Sequence, residues 1–358
     1  MRILLLGEFS GLHKNIKEGL AFIGHDVTIA SSEDGWKKIP GDINFGSRKW
    51  GIFGKIEKLY KIVTSVKRFK NYDIVQCVSP VIFPKFLGIN KLIFTYIFNN
   101  NAKVFLVSSG DTPHVTATAD FLKNDYKHSQ LYYEIKKSYS PIWGETTSGR
   151  KYNKWFFNRI NGVIPEMYEY AEGFRQINYN KLCQTIPLPM NISKVIYTPN
   201  AIGKKVVFFH GLNNEGVKGT PLIRKALDML KEKYPNEVEI VFKGYLPLNE
   251  YLDLLKDVNV VVDQVYYTSY GLNALYSLAL GRIVVGGGGR ACLDEFKLKK
   301  SPIFPLEPSV EDIFYKLESV LKNKDRFTEY GAQSRRFVED NHNYIDIAKK
   351  YIKTWEGC

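Results

Sequence analysis

From Val258 to Gly289 the chain reads VNVVVDQVYYTSYGLNALYSLALGRIVVGGGG, and this stretch leaves few folds open. Val258 to Val262 is short, β-branched and apolar on both faces, which fits a strand buried in a parallel sheet. Gly271 to Leu280 carries its apolar residues at helical spacing, and Arg282 to Val285 is a strand again. Strand, helix, strand is a βαβ unit. Its helix is entered through Ser269-Tyr270-Gly271, so unpaired backbone N–H groups and the positive end of the helix dipole face whatever lies before it, and both suit a phosphate. The glycines at 286 to 289 would let a ligand approach the backbone closely, although four glycines are also what a loose connection looks like.

The same grammar recurs along the chain. Met1 to Leu6 is a buried strand, the turn Gly7-Glu8-Phe9-Ser10-Gly11 leads into a helix from about Leu12 to Ile23, and Val27 to Ala30 is the next strand. Lys103 to Val107 reads as a central strand with Ser108-Ser109-Gly110-Asp111-Thr112-Pro113-His114 at its carboxyl end, where open α/β sheets place ligands. Asp111 and His114 are the acid/base candidates there, although an Asp before Thr-Pro is also a common turn residue. Ser10 and Ser109 are candidates for holding an acceptor. Residues 120 to 155 are polar and aromatic with little periodicity and are expected to form a mobile flap with a helical portion. Tyr126, Tyr132, Tyr133, Tyr139, Trp143 and Trp155 could stack on sugar rings there or simply pack. A second βα series opens with the strand Lys205 to His210, followed by Asn213, Lys218-Gly219 and a helix from Pro221 to Lys233. It continues with the strand Glu237 to Phe242 and its exit loop Gly244-Tyr245-Leu246-Pro247.

With 358 residues the chain is long enough for two domains with separate cores. The expected division is 1–193 and 204–340, joined by an extended connection, with a helix at 341–357 packing back on the first domain. Four scattered cysteines without a CxxC pair or a neighbouring His cluster suggest neither a zinc site nor a disulfide framework. The opening MRILLLGEFSG is too short for a signal-peptide core, and no apolar run approaches the roughly 20 residues that span a bilayer. The expected location is the cytoplasm, including the inner face of the membrane.

Charge is unevenly placed within a net +13. Residues 1–193 hold 26 Lys+Arg against 16 Asp+Glu, or +10, and residues 194–358 hold 24 against 21, or +3. An acidic partner for the first half is one reading and plain solubility another. Residues 50–70 combine Ile52, Ile56, Leu59, Ile62, Val63 and Val66 with Lys55, Lys58, Lys61, Lys67, Arg68 and Lys70. Such a basic amphipathic helix could lie on an anionic membrane or pack as an ordinary surface helix. No RRM, KH or zinc signature accompanies the basic half, which argues against nucleic acid as the partner.

Several of these residues resemble the motifs of family 4 glycosyltransferases. Lys218-Gly219 matches the Lys-Gly that follows the first strand of the donor domain, Tyr270-Gly271-Leu272 stands in place of the family's glycine turn, and Ala279-x-Gly281 matches its helix end. Thr268 and Tyr276 occupy the positions of the family's two glutamates, and Leu212 that of its arginine. The resemblance implies the GT-B fold, two Rossmann-like domains with parallel sheets facing a cleft. It also implies a nucleotide-sugar donor held by Gly11, Asn213, Lys218, Tyr245, Leu246, Ser269, Tyr270, Gly271, Leu272 and Asn273. The expected reaction is transfer of a sugar to a glycan or lipid-linked acceptor, with retention of configuration and without a cofactor or required metal. A nucleotide-sugar-binding protein of the same fold without catalysis is the first alternative, which the missing glutamates would explain, and a basic nucleic-acid-binding protein is the second.

Overall fold

The computed structural model describes residues 1–34, 37–47, 49, 51–110 and 112–358. Two separate sheets form, each entirely parallel. The first contains β1 (Arg2–Leu6), β2 (Asp26–Ser31), β3 (Ile43–Asn44), β4 (Ile74–Cys77), β5 (Lys103–Ser108) and β6 (Gly162–Pro165), in the order β3-β2-β1-β4-β5-β6. The second contains β7 (Val206–Gly211), β8 (Val238–Lys243), β9 (Val260–Val262), β10 (Ile283–Gly286) and β11 (Phe304–Pro305), in the order β11-β10-β9-β7-β8. Each order reverses direction once, between β1 and β4 and between β7 and β9. Past the carboxyl ends of those pairs the connections diverge and leave a crevice.

Helices cover both faces of the first sheet. The Gly51–Ser65 and Ile89–Asn100 helices share one core with the strands through Ile62, Ile93, Phe94 and Ile97. On the other face, Leu12, Ile16 and Leu20 of the Leu12–Phe22 helix join a core that runs on into the second sheet and the final helix, Tyr344–Gly357. The two helices meet closely: a Cβ at Gly19 would stand 2.3 Å from the Tyr344 carbonyl oxygen, so no larger residue fits. The chain leaves the first sheet through residues 191–203 and returns beside its exit, where Met190 N–H donates to the His342 carbonyl and Tyr344 N–H to that of Met190.

Residues 116–157 differ from the expected mobile flap. They form three helices: Thr116–Asn124 and Ser129–Ser138 enclose a small core of Phe121, Leu122, Leu131, Tyr132, Ile135 and Ile142, while Thr147–Phe157 sends Phe156 and Phe157 into the core of the first sheet. Among the described residues no helix is long and apolar enough to cross a membrane.

Candidate functional site

The crevices of the two sheets face each other and enclose a cavity of about 460 Å³ lined from both sides. On the second sheet's side the wall starts where β9 ends in Asp263, which is buried and places Oδ1 3.2 Å from the Lys218 Nζ. Lys218 closes a single helical turn, Glu215–Lys218, and Gly219 follows at φ +77°, where a Cβ would stand 2.3 Å from Val265 Cγ2. Only glycine permits that turn, and the turn is what aims the lysine back over the strand ends. Asn213 accepts the Tyr245 N–H through Oδ1 at 2.6 Å, tying the loops after β7 and β8 together. Tyr245 and Leu246 line the cavity beside it. Lys243, at the end of β8, pairs in register with Gly211 and also faces the cavity. Among the described residues no carboxylate forms an ion pair with it, so the wall whose expected arginine is Leu212 has a second cation from the neighbouring strand.

The next part of the wall is the start of the Leu272–Ala279 helix. Gly271, in extended conformation at its N-cap, lines the cavity together with Leu272, Asn273 and Tyr276. The first N–H groups of this helix have no intrahelical acceptor and point toward the same space as Lys218 and Lys243. Ser269 and Tyr270 do not line it. Ser269 is fully buried, and the Tyr270 hydroxyl lies 3.0 Å from His342 Nε2 among the rings of Phe296 and Phe337. Both side chains, expected at the donor, sit behind the turn and shape it from there.

Ser10 lines the cavity from the first sheet's side at φ +56°, its N–H donating to Asp34 Oδ2 at 2.7 Å and its Oγ accepting from Lys37 Nζ at 2.6 Å. Gly11 does not line the cavity, and its N–H is occupied by Glu8 Oε1 at 3.0 Å. The same carboxylate accepts from His13 and Lys14 and so caps the Leu12–Phe22 helix from within the protein. The Gly11 N–H, expected to meet the donor, is thus taken up within the protein. Burial pushes the Glu8 carboxyl up to about 7 despite those hydrogen bonds. Ser109 and Gly110 line the cavity after β5, whereas Asp111 lies outside the described residues. His114 is not part of the lining: its ring centroid is 5.9 Å from that of Trp143, and its carbonyl accepts from Asn153 Nδ2. Of the aromatic residues expected near sugar, Tyr139 lines the cavity, while Trp143 and Trp155 pack around Tyr152.

A buried polar bridge ties the two units together directly behind this wall. Glu169 Oε1 accepts the Ser269 N–H at 2.8 Å, and His128 places Nε2 3.1 Å from Thr268 Oγ1 and Nδ1 2.7 Å from Asp125 Oδ2. His128 Nε2 is also 3.8 Å from Glu169 Oε1, with both side chains almost inaccessible to solvent. Burial opposes charge on either group, yet the mutual attraction prevails, raising His128 and lowering Glu169. Sequence reasoning missed Asp263, Lys243, Glu8 and this bridge. Asp263 alone left a trace, as a carboxylate directly after a wholly apolar strand.

Among the described residues no group of three His, Cys, Asp or Glu side chains could hold a metal ion. No family model and no curated protein matches the chain. Solved structures do match over its whole length. Sucrose-phosphate synthase from Thermosynechococcus elongatus superposes with a TM-score of 0.66 at 12% identity, covering 100% of this chain and 99% of that one. Anabaena Alr3699/HepE in complex with UDP-glucose gives 0.64 at 13%, covering 100% of both chains. UDP-GlcNAc 2-epimerase from Neisseria meningitidis bound to UDP-GlcNAc gives 0.53 at 10%, again covering 100% of both. The fold is therefore GT-B, as the sequence suggested. A synthase and an epimerase share it, so the choice of reaction rests on the cleft.

Proposed function

We propose that the protein is a glycosyltransferase of the family 4 type, moving a sugar from a nucleotide diphosphate donor to a glycan or lipid-linked acceptor in assembly of a surface polysaccharide or glycoconjugate. The observation that carries this reading is one wall of the cleft on which Lys218, Lys243 and the open amino end of the Leu272–Ala279 helix converge. Two ammonium groups and a helix dipole match the charge of a diphosphate, both in the bound donor and in the leaving group, where negative charge grows during transfer. These groups act without a metal. Tyr245 and Leu246 suit the nucleobase, and Ser10, Ser109 and Gly110 form the acceptor side. Structures of the same fold hold UDP and UDP-sugars in complexes with other proteins, which supports a uridine donor. The second unit, 204–340, would bind the donor and the first, 1–193, the acceptor, with retention at the anomeric carbon as the family resemblance implies.

Titration of the purified chain with UDP and UDP-sugars, followed by an assay for released UDP with candidate acceptors, tests this. Donor binding with transfer supports the reading. Binding without transfer or donor turnover favours a sugar-nucleotide-binding protein, and absence of binding removes both. Asp111 remains the proposed base, because it follows the β5 end beside Ser109 and Gly110. Asp111→Asn is expected to reduce turnover about 100-fold with unchanged melting, and near-normal turnover would exclude that role.

Membrane contact is part of the same proposal. The outward face of the Gly51–Ser65 helix exposes Ile52, Phe53, Ile56, Tyr60 and Val63, each more than half accessible to solvent. Lys55, Lys67, Arg68 and Lys70 lie exposed on and just beyond it, whereas Lys61 is engaged by Glu57 and the Gly46 carbonyl, and Ile62 is buried in the core. Apolar side chains with flanking cations suit an anionic leaflet, which would bring a lipid-linked acceptor to the first unit.

A further inference from the structure

The four cysteines look unrelated along the chain, but folding brings two of them together. Cys183 follows Leu182, which bridges to Val163 of β6 at the edge of the first sheet, and Cys358 caps the Tyr344–Gly357 helix. Their sulfurs are 3.4 Å apart, with Cys183 half-buried and Cys358 exposed. A disulfide holds its sulfurs at about 2.05 Å, and Cys358 lies beyond the packed part of its helix, so the remaining approach needs no movement of core residues. Cys77 and Cys292 are buried elsewhere. The pair opens on a second cavity of about 420 Å³, whose lining includes Gln184, Thr185, Glu295, Lys350 and Lys353, with Glu295 already paired to Arg175. With Glu295 neutralised by Arg175, the two lysines in the lining favour a reagent that carries carboxylates.

We propose that Cys183 and Cys358 form a modification site at which a small, carboxylate-bearing disulfide such as glutathione disulfide converts the two thiols into an intramolecular disulfide. The exposed Cys358 reacts first: its thiolate attacks one sulfur of the reagent, releasing one small thiolate and leaving a mixed disulfide. Cys183 then loses its proton to solvent and attacks Cys358 Sγ, and the second small thiolate leaves. The reagent gains the two electrons that the cysteines lose, and each released thiolate takes up a proton. Burial and the neighbouring thiol push Cys183 up to about 12, which makes the second step the slower one. The product ties the final helix to the edge of the first sheet and closes a long covalent loop, which restricts the unfolded chain and raises the melting temperature. None of this depends on what the main cleft binds.

The test is to incubate the native full chain with glutathione disulfide, denature it, alkylate the remaining thiols and map the peptides, with melting followed in parallel. The expected product links the Cys183 and Cys358 peptides, leaves Cys77 and Cys292 alkylated, and melts higher until a dithiol reductant is added. Cys183→Ser is expected to stop at the mixed disulfide on Cys358, and Cys358→Ser to take up no reagent. A wild-type chain that stops at the mixed disulfide, cross-links only to a second chain, or takes up no reagent overturns the proposal.

Discussion

Asp263 shares Lys218, and that sharing determines what each residue can be expected to do. A buried lysine with one carboxylate neighbour is held in place while keeping N–H donors for a phosphate. Removing one charge-assisted contact costs roughly 1.5–3 kcal/mol, or about ten- to a hundredfold in affinity. Lys218→Ala and Lys243→Ala are each expected to weaken UDP binding by that factor in calorimetric titration, and unchanged affinity would reduce either lysine to a bystander. Glu166 makes a separate prediction. It is fully buried, and burial pushes it up to about 8, outweighing the neighbouring Ser109 hydroxyl that lowers it and helped by the Glu8 carboxyl that raises it. A group raised in the folded state contributes its stability below the unfolded value of 4.5 and loses it as pH rises through 8. Glu166→Gln should therefore raise the melting temperature more at pH 8 than at pH 5; a pH-independent difference would show that Glu166 does not titrate there. Residues of this kind were only partly legible. Lys218-Gly219 could be read because it matches the Lys-Gly of the family the chain resembles and stands before a helix start. Lys243 could not, because a charged residue ending a strand usually faces solvent, and nothing local to Ser269 or Tyr270 says which way a turn residue points.

Elements were legible in proportion to how continuously apolar they are. β1, β9 and β10 are runs of branched aliphatic residues, and the helix between β9 and β10 keeps a helical period, so each was found within two residues of its ends. β3 and β11 have two residues each, too short to carry a period, and are held as strands by pairing with β2 and β10. The three helices between 116 and 157 were hidden because their apolar residues are divided between a small local core and the core of the first sheet, so no continuous apolar stripe marks them. At this scale, Gly19→Leu should separate the Leu12–Phe22 and Tyr344–Gly357 helices and destabilise the protein by roughly 1–3 kcal/mol, as overpacking does. Wild-type melting would show that the contact has slack. Phe53→Glu and Ile56→Glu should abolish co-sedimentation with anionic vesicles at low salt without altering UDP binding. If both variants sediment as wild type does, the membrane face lies elsewhere.

For the molecule as a whole, the bridge of His128, Glu169 and the Thr268-Ser269 turn makes joining of the two units depend on pH. His128 is raised from 6.5, so its contribution is complete below 6.5 and is lost as pH rises through the higher folded value; Glu169 is lowered from 4.5, so its contribution is complete above 4.5 and is lost as pH falls through the lower one. The bridge is strongest between those limits, with Asp125, Glu169 and Thr268 facing the imidazole. His128→Ala should lower the melting temperature most near pH 5.5 and progressively less above 7; an equal loss at every pH would assign His128 to packing alone. The return of the chain beside Met190 has a consequence for synthesis. The chain leaves the first sheet and returns to it at one place, so the second sheet, whose strands run from Val206 to Pro305, has all of them before the Tyr344–Gly357 helix is made. Until residues 344–357 have been made, Leu12, Ile16 and Leu20 lack part of their cover, and a ribosome still translating this protein holds a nearly finished second unit beside a first unit whose apolar flank remains open to chaperones.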